Sequence, residues 1–195
     1  MNIGIDLDGV VYDTENDYRT RAKIYDIEYN NGLGEVKKEE SRIQQMFDWT
    51  KEMTDEFLQG CYEDIQSNAP LKFGAKYVIE KLRKMGHKLY VITSRGSLSQ
   101  KEIDITKKRF EEDGLVFDGC YFNCKTKEGF CKDLNIDVMI DDYYNNIDDI
   151  CKEKIRCLYF REIVLKFYNG NRYVHEVRNW GDIYYEILNF DKWKV

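Results

Sequence analysis

Three short apolar runs constrain this chain more than any other feature: residues 2–7 (NIGIDL), 88–92 (KLYVI) and 138–140 (VMI). Each is too short for a helix, lacks the polar alternation of a half-solvated strand, and closes on polar residues. They are separated by segments long enough to be helices. Apolar strands joined by helical crossovers predict an α/β fold, a doubly wound parallel sheet covered on both faces. The pattern predicts further elements. Helices are expected over 73–85, with Val78, Leu82 and Met85 on one face and Gly86 as the stop, and over 99–113, 126–135 and 182–190. Strands are expected around 120–123 and 155–160, and Asn169-Gly170 between 164–168 and 172–177 reads as a hairpin.

Residues 15–66 differ in character. They are long, charged and helix-favouring over 15–25, 37–46 and 54–66, broken by Asn30-Asn31-Gly32-Leu33-Gly34 and Phe47-Asp48-Trp49. This is expected to be a helical insertion into a core built from 1–14 and 67–195. The Gly32-x-Gly34 pair lacks the third glycine and preceding strand of a dinucleotide site, so a turn is expected there.

At 195 residues the chain can bury a full core without staples. Its 30 Lys and Arg against 36 Asp and Glu give a net charge of −6, which argues against a nucleic-acid polymer as partner, and no apolar run is long enough to span a membrane. With no leader pattern at residue 1, a cytoplasmic location is expected. Six cysteines fit reduced thiols used as small hydrophobes. Cys120, Cys124 and Cys131 cluster without a C-x-x-C pair, and His87 and His175 lie far off, which disfavours zinc. Without H-E-x-x-H or G-x-S-x-G, carboxylates must carry any catalysis.

In a parallel sheet the ends of the three runs face one edge, where ligands bind. That edge would gather Asp6 and Asp8, Thr93-Ser94-Arg95, and Asp141-Asp142. Asp6 and Asp8, about 6.6 Å apart along an extended chain, point to the same side. Four carboxylates in one place repel one another. A hard divalent cation bound through oxygen relieves this, and Mg²⁺ fits best in a site that handles phosphate. Taken singly, each feature has an ordinary explanation as a turn or helix cap. Together, in order and in the right setting, they predict a site.

These residues resemble the haloacid dehalogenase superfamily of phosphohydrolases. Asp6-Leu7-Asp8-Gly9-Val10 matches its D-x-D-x-[TV] motif, Val91-Ile92-Thr93-Ser94 its second, Lys127 its third, and Ile140-Asp141-Asp142 its fourth. Lys127 is preferred to Lys125 and Lys132 because it opens the predicted helix. The D-L-D-G-V start, the I-T-S-R loop and the late Asn179-Trp180 are similar to the 5′-nucleotidase C group, and the likeness runs over nearly the whole chain. The resemblance makes 15–66 a small cap over the active site of a HAD-like core.

It also implies a Mg²⁺-dependent phosphomonoester hydrolase acting on nucleoside monophosphates, with a sugar phosphate or another small phosphomonoester as the alternative substrate. A catalytically idle phosphate-binding protein is the alternative outside the enzymes. Asp6 would be the nucleophile and Asp8 the acid and base. Thr93 and Ser94 would hold the phosphoryl oxygens and Lys127 would neutralise them. Asp6, the Asp8 backbone carbonyl, Asp141 and Asp142 would hold the metal, with the choice between the last two open. Arg95 would touch substrate phosphate or pair with an acidic residue; Phe47 and Trp49 would stack on a base or belong to the core. Base, sugar and oligomeric state are not readable.

Overall fold

A computed structural model describes every residue except 33, 39, 41, 163–165, 169, 194 and 195. The three apolar runs form β1 (Asn2–Ile5), β2 (Lys88–Ile92) and, with β3 (Gly119–Tyr121) between, β4 (Val138–Asp141). β5 (Arg156–Phe160) and β6 (Val174–Val177) complete a six-stranded sheet in the order β3-β2-β1-β4-β5-β6, every neighbouring pair parallel. This is the doubly wound α/β fold the pattern predicts.

Alternate residues of each strand enter different layers, because side chains point to opposite faces with a period of two. Ile3, Ile5, Val138, Ile140, Leu158 and Phe160 join one hydrophobic cluster, while Met139, Cys157 and Tyr159 join a second. Both faces are therefore dry, which is why these strands read as continuous apolar runs.

The crossovers are helical. α1 (Thr14–Asn30), α2 (Ile43–Met46) and α3 (Lys51–Asn68) lie between β1 and α4 (Ala75–Lys84). α4 buries Ala75, Val78, Ile79 and Leu82 on one stripe and stops before Gly86, whose φ of 85° suits only glycine readily. α5 (Gln100–Asp113), α6 (Glu128–Asp133), α7 (Tyr144–Lys152) and α8 (Trp180–Leu188) complete the set, with a short 3-10 turn over Phe190–Lys192. No helix among the described residues is long and apolar enough to cross a membrane.

Two expectations are met only in part. Of the helix expected over 37–46, only Ile43–Met46 is helical among the described residues, with Glu39 and Ser41 outside them; residues 37–42 are all polar in sequence and offer little to offset the cost of nucleating a helix. The hairpin expected about Asn169-Gly170 falls partly on Val164, Leu165 and Asn169, which lie outside the described residues; among the described residues its second arm is β6, which pairs parallel with β5. The connection from β5 to β6, about a dozen residues, is long enough for a parallel return. The Gly32-x-Gly34 turn does form, closed by Gly32 N–H donating to the Asp26 carbonyl and Gly34 N–H to the Asp26 carboxylate.

The helices of residues 15–66 share the main cluster with the sheet. Ala22, Met46, Phe57 and Ile65 pack in one continuous apolar body with Ile3 and Val91. Against the strand ends they leave a cleft of about 940 Å³.

Candidate active site

From β1 the chain goes one way through β2 to β3 and later the other way through β4 to β6, so the gap between β1 and β4 is where the winding reverses. Such a switch point opens a crevice at the carboxyl ends of the strands. Asp6 follows β1 and Asp141 ends β4, and their backbones are tied by Asp6 N–H donating to the Ile140 carbonyl at 3.0 Å.

Beyond Asp6 the chain turns sharply. Val11 and Tyr12 N–H groups donate to the Leu7 carbonyl, and Gly9 N–H donates to Thr14 Oγ1 at 3.0 Å. Gly9 is at φ 72°, and a Cβ there would stand 2.0 Å from Asp142 Oδ2. Only glycine lets this loop approach the Asp142 carboxylate.

Four carboxylates and two buried cations share the crevice, and the pairing divides them. Lys127, 2% exposed and immediately ahead of α6, sets its Nζ 3.0 Å from Asp6 Oδ1 and 2.6 Å from Asp141 Oδ2. Arg95, 1% exposed, donates from Nη2 to Asp8 Oδ1 at 2.7 Å and from Nε to Asp8 Oδ2 at 2.9 Å. Asp141 is fully buried and takes further hydrogen bonds from Asn146 Nδ2 and Tyr143 N–H. Among the described residues Asp142 gains no such partner.

The protonation balance follows from these pairings. Burial works against the Lys127 ammonium, but the charges of Asp141 and Asp6 outweigh it and hold the lysine protonated above its usual range. Burial also lifts Asp6 to about 6 despite Lys127, with Asp141 and Asp8 adding like charge. Asp142, desolvated beside Asp141, Asp6 and Glu15, is pushed well above the ordinary carboxylate range. Asp8 goes the other way: burial would raise it, but the Arg95 fork and the Thr14 hydroxyl keep it below its usual value.

One carboxylate oxygen each from Asp6, Asp141 and Asp142 lies within 4.8 Å of the others. An all-oxygen set of this kind suits Mg²⁺, and Asp142, raised by repulsion with no cation of its own, has the coordination that a metal would satisfy. Asp6 and Asp142 face the cleft, whereas Asp141 sits behind Lys127. The Asp8 carboxylate is not part of this group.

Among the residues expected to bind substrate, Ser94 lies open on the cleft wall. Thr93 is fully buried, its hydroxyl accepting Arg95 N–H at 3.3 Å. For three residues the substrate-contact alternative gives way to the other one offered. Arg95 does not reach into the cleft, because both of its inner nitrogens are committed to Asp8 and the third, Nη1, to Thr106 Oγ1. Phe47 and Trp49 are not a base platform: their rings stack on each other at 4.5 Å, Trp49 packs on Tyr25 and Phe57, and its indole N–H donates to Asp26 at 2.7 Å. A ring in a packed cluster gains more by staying dry than by waiting for a ligand.

Residues without a sequence signal also shape the site. Tyr18 from α1, with Leu58, Gln59 and Tyr62 from α3, walls the cleft opposite the strand ends. Asn146 steadies Asp141, and Glu102 accepts from Gly96 N–H and so braces the Arg95 loop. The one legible hint was the spacing of Ile147, Ile150 and Cys151, which marks α7 and carries Asn146 on its first turn. Cys124 lines the cleft too, but burial pushes its thiol up to about 11, which rules out a thiolate nucleophile at neutral pH.

No protein-family model and no curated protein matches the chain. Solved structures do. A predicted phosphatase from Clostridium acetobutylicum superposes with a TM-score of 0.66 at 16% identity, over 96% of this chain and 98% of that one. A haloacid dehalogenase-like hydrolase from Streptococcus pneumoniae gives 0.66 at 15%, over 97% of each. The Rhodobacter sphaeroides protein CbbY, in complex with xylulose 1,5-bisphosphate, gives 0.59 at 14%, over 93% of this chain and 95% of that one. The chain therefore has the α/β fold of haloacid dehalogenase-like hydrolases along its whole length.

Proposed function

We propose that this protein is a Mg²⁺-dependent phosphomonoester hydrolase that works through an acyl phosphate on Asp6. One observation carries this assignment: three carboxylates, Asp6, Asp8 and Asp142, line the cleft, Asp6 beside Lys127 and Asp8 paired with a separate cation, Arg95. A binding protein for phosphate has no use for the Asp8 carboxylate.

Asp6, Asp142 and, behind them, Asp141 are the side chains that would hold the metal, which when bound supplies positive charge against the repulsion between carboxylate and phosphate. An Asp6 carboxylate oxygen attacks phosphorus as the ester P–O bond breaks, and the leaving oxygen takes a proton from Asp8, which must enter this step protonated although the Arg95 fork favours its carboxylate form. Asp8, now a carboxylate, accepts a proton from water as the water oxygen attacks phosphorus. The Asp6–phosphate bond breaks, releasing inorganic phosphate and restoring Asp6. Lys127 neutralises charge on the phosphoryl oxygens, and Ser94 offers them a hydroxyl.

Residues 15–66 act as a cap in this scheme, Tyr18, Leu58 and Tyr62 covering the leaving group. With Phe47 and Trp49 committed to the cap's own interior, a nucleoside has lost the platform that favoured it. A sugar phosphate or similar small phosphorylated carbon compound fits better, in keeping with the xylulose bisphosphate bound by CbbY.

The test is hydrolysis of a panel of sugar phosphates, nucleoside monophosphates and p-nitrophenyl phosphate, with Mg²⁺ and with EDTA. Turnover is expected with Mg²⁺ only, fastest on sugar phosphates, and abolished in Asp6→Asn with the fold intact. Turnover that survives EDTA or Asp6→Asn refutes the mechanism, and a preference for nucleotides refutes the substrate class.

A further inference from the structure

We propose that Arg95 is the positioning residue for Asp8: its guanidinium fixes the plane of that carboxylate and keeps it apart from the Asp6 and Asp142 group. The proposal rests on the hydrolase assignment above, which gives Asp8 its proton to carry.

The fork is bidentate, using both oxygens of Asp8 at 2.7 and 2.9 Å, and a bidentate pair sets an orientation that a single contact cannot. Arg95 itself has no freedom to follow. Its remaining nitrogen, Nη1, donates to Thr106 Oγ1 at 3.1 Å, and that hydroxyl donates to the Glu102 carbonyl at 2.8 Å. The Tyr12 ring lies 5.2 Å from its guanidinium carbon. Its backbone is held at both ends, N–H to Thr93 Oγ1 and carbonyl from Asn123 N–H at 2.7 Å. The guanidinium is thus a fixed point on the sheet, and Asp8 takes its direction from it.

The second consideration is where Asp8 would go without it. Lys127, the other buried cation of the crevice, already serves Asp6 and Asp141, and any cation at Asp6 and Asp142 is a further attraction. Freed from Arg95, the Asp8 carboxylate would be drawn toward that positive charge and away from the leaving group. Arg95 therefore separates the carboxylate that carries a proton from those that carry the phosphoryl group.

The chemistry supplies a readout that mere loss of folding does not. An alkyl ester needs a proton on the leaving oxygen as the P–O bond breaks, whereas p-nitrophenolate leaves as the anion. Steady-state kinetics of the full chain with saturating Mg²⁺ would compare wild type, Arg95→Lys, Arg95→Ala, Asp8→Asn, and Asp8→Asn with Arg95→Ala. The substrates are a sugar phosphate that the wild type hydrolyses and p-nitrophenyl phosphate. Both Arg95 variants are expected to lose kcat on the sugar phosphate by about 10²-fold or more, with KM little changed, and to lose far less on the aryl ester. Added guanidinium ion should restore part of the loss in Arg95→Ala, and that substitution should cost nothing further once Asp8 is Asn.

Equal losses on both esters, a loss confined to KM, or losses that add fully to those of Asp8→Asn would overturn the proposal. Melting temperatures identify a variant that has unfolded, in which case Arg95→Lys decides. A wild-type protein that hydrolyses neither ester overturns the hydrolase assignment as well, whereas an active wild type with an unchanged ratio of the two overturns this proposal alone.

Discussion

A carboxylate on a helix that packs against other helices destabilises the fold unless its lone pairs are met, and Asp26 on α1 meets them all. It is 1% exposed and accepts from Trp49 Nε1 at 2.7 Å, Gly34 N–H at 2.9 Å and Asn30 Nδ2 at 3.0 Å. Burial alone would raise its pKa, but these donors bring it below the ordinary value. A group depressed in the folded state adds stability that is fully present above its unfolded pKa, near 3.9, and is lost as pH falls through the folded value. Asp26→Ala is therefore expected to cost about 1 to 3 kcal/mol at neutral pH. The gap from the parent should close as pH drops below about 4. Urea unfolding at a series of pH values measures it, and a gap independent of pH would show that the charge is not what matters.

The helices of 15–66 show what a sequence reveals about an element and what it hides. β1, β2 and β4 were legible because burial on both faces makes their residues apolar without interruption, and the acids that follow them reach the crevice within one or two residues. Asp6, Asp8 and Asp142 could be located on that ground alone, whereas Lys127 came from the resemblance and its place at the start of a predicted helix. Arg95, Phe47 and Trp49 could not, since an arginine or an aromatic ring is equally at home on a ligand or on a neighbour, and only packing decides. α7 carried only the helical spacing of Ile147, Ile150 and Cys151 as its signal, because its exposed residues are polar. β6 was misjudged because a short edge strand carries little pattern. For the aromatic pair the structural role has a measurable consequence. Phe47→Ala and Trp49→Ala each empty part of a cluster that includes Tyr25 and Phe57, and each should cost about 3 to 5 kcal/mol of stability if the cavity does not collapse. At a temperature where the variants stay folded, KM for a nucleoside monophosphate and for p-nitrophenyl phosphate should move together. A selective rise for the nucleotide would return these rings to the site.

For the whole molecule, the crowded crevice couples folding to protons and to metal at once. Asp6 at about 6 and Asp142 well above the usual range bind more protons in the folded chain than in the unfolded one at mildly acidic pH. Stability from these two groups therefore rises as pH falls from neutral, the reverse of the Asp26 case. For Asp6 the shift from its ordinary 3.8 corresponds to roughly 3 kcal/mol, at about 1.4 kcal/mol per pH unit. A divalent cation bound by the same oxygens removes that repulsion without protons, so proton and metal compete. Mg²⁺ at about 100 times its dissociation constant should add about 2.7 kcal/mol at pH 7.5 and distinctly less at pH 5.5, as read from paired unfolding curves with Mg²⁺ and with EDTA. His87, whose pKa burial lowers, acts alike in both arms and cancels from the difference. Asp142→Asn should abolish the Mg²⁺ increment at pH 7.5, because it removes the member of the Asp6, Asp141 and Asp142 group that Lys127 does not contact. An increment equal at the two pH values, or one that survives Asp142→Asn, would mean that the cation binds somewhere other than the crevice between β1 and β4.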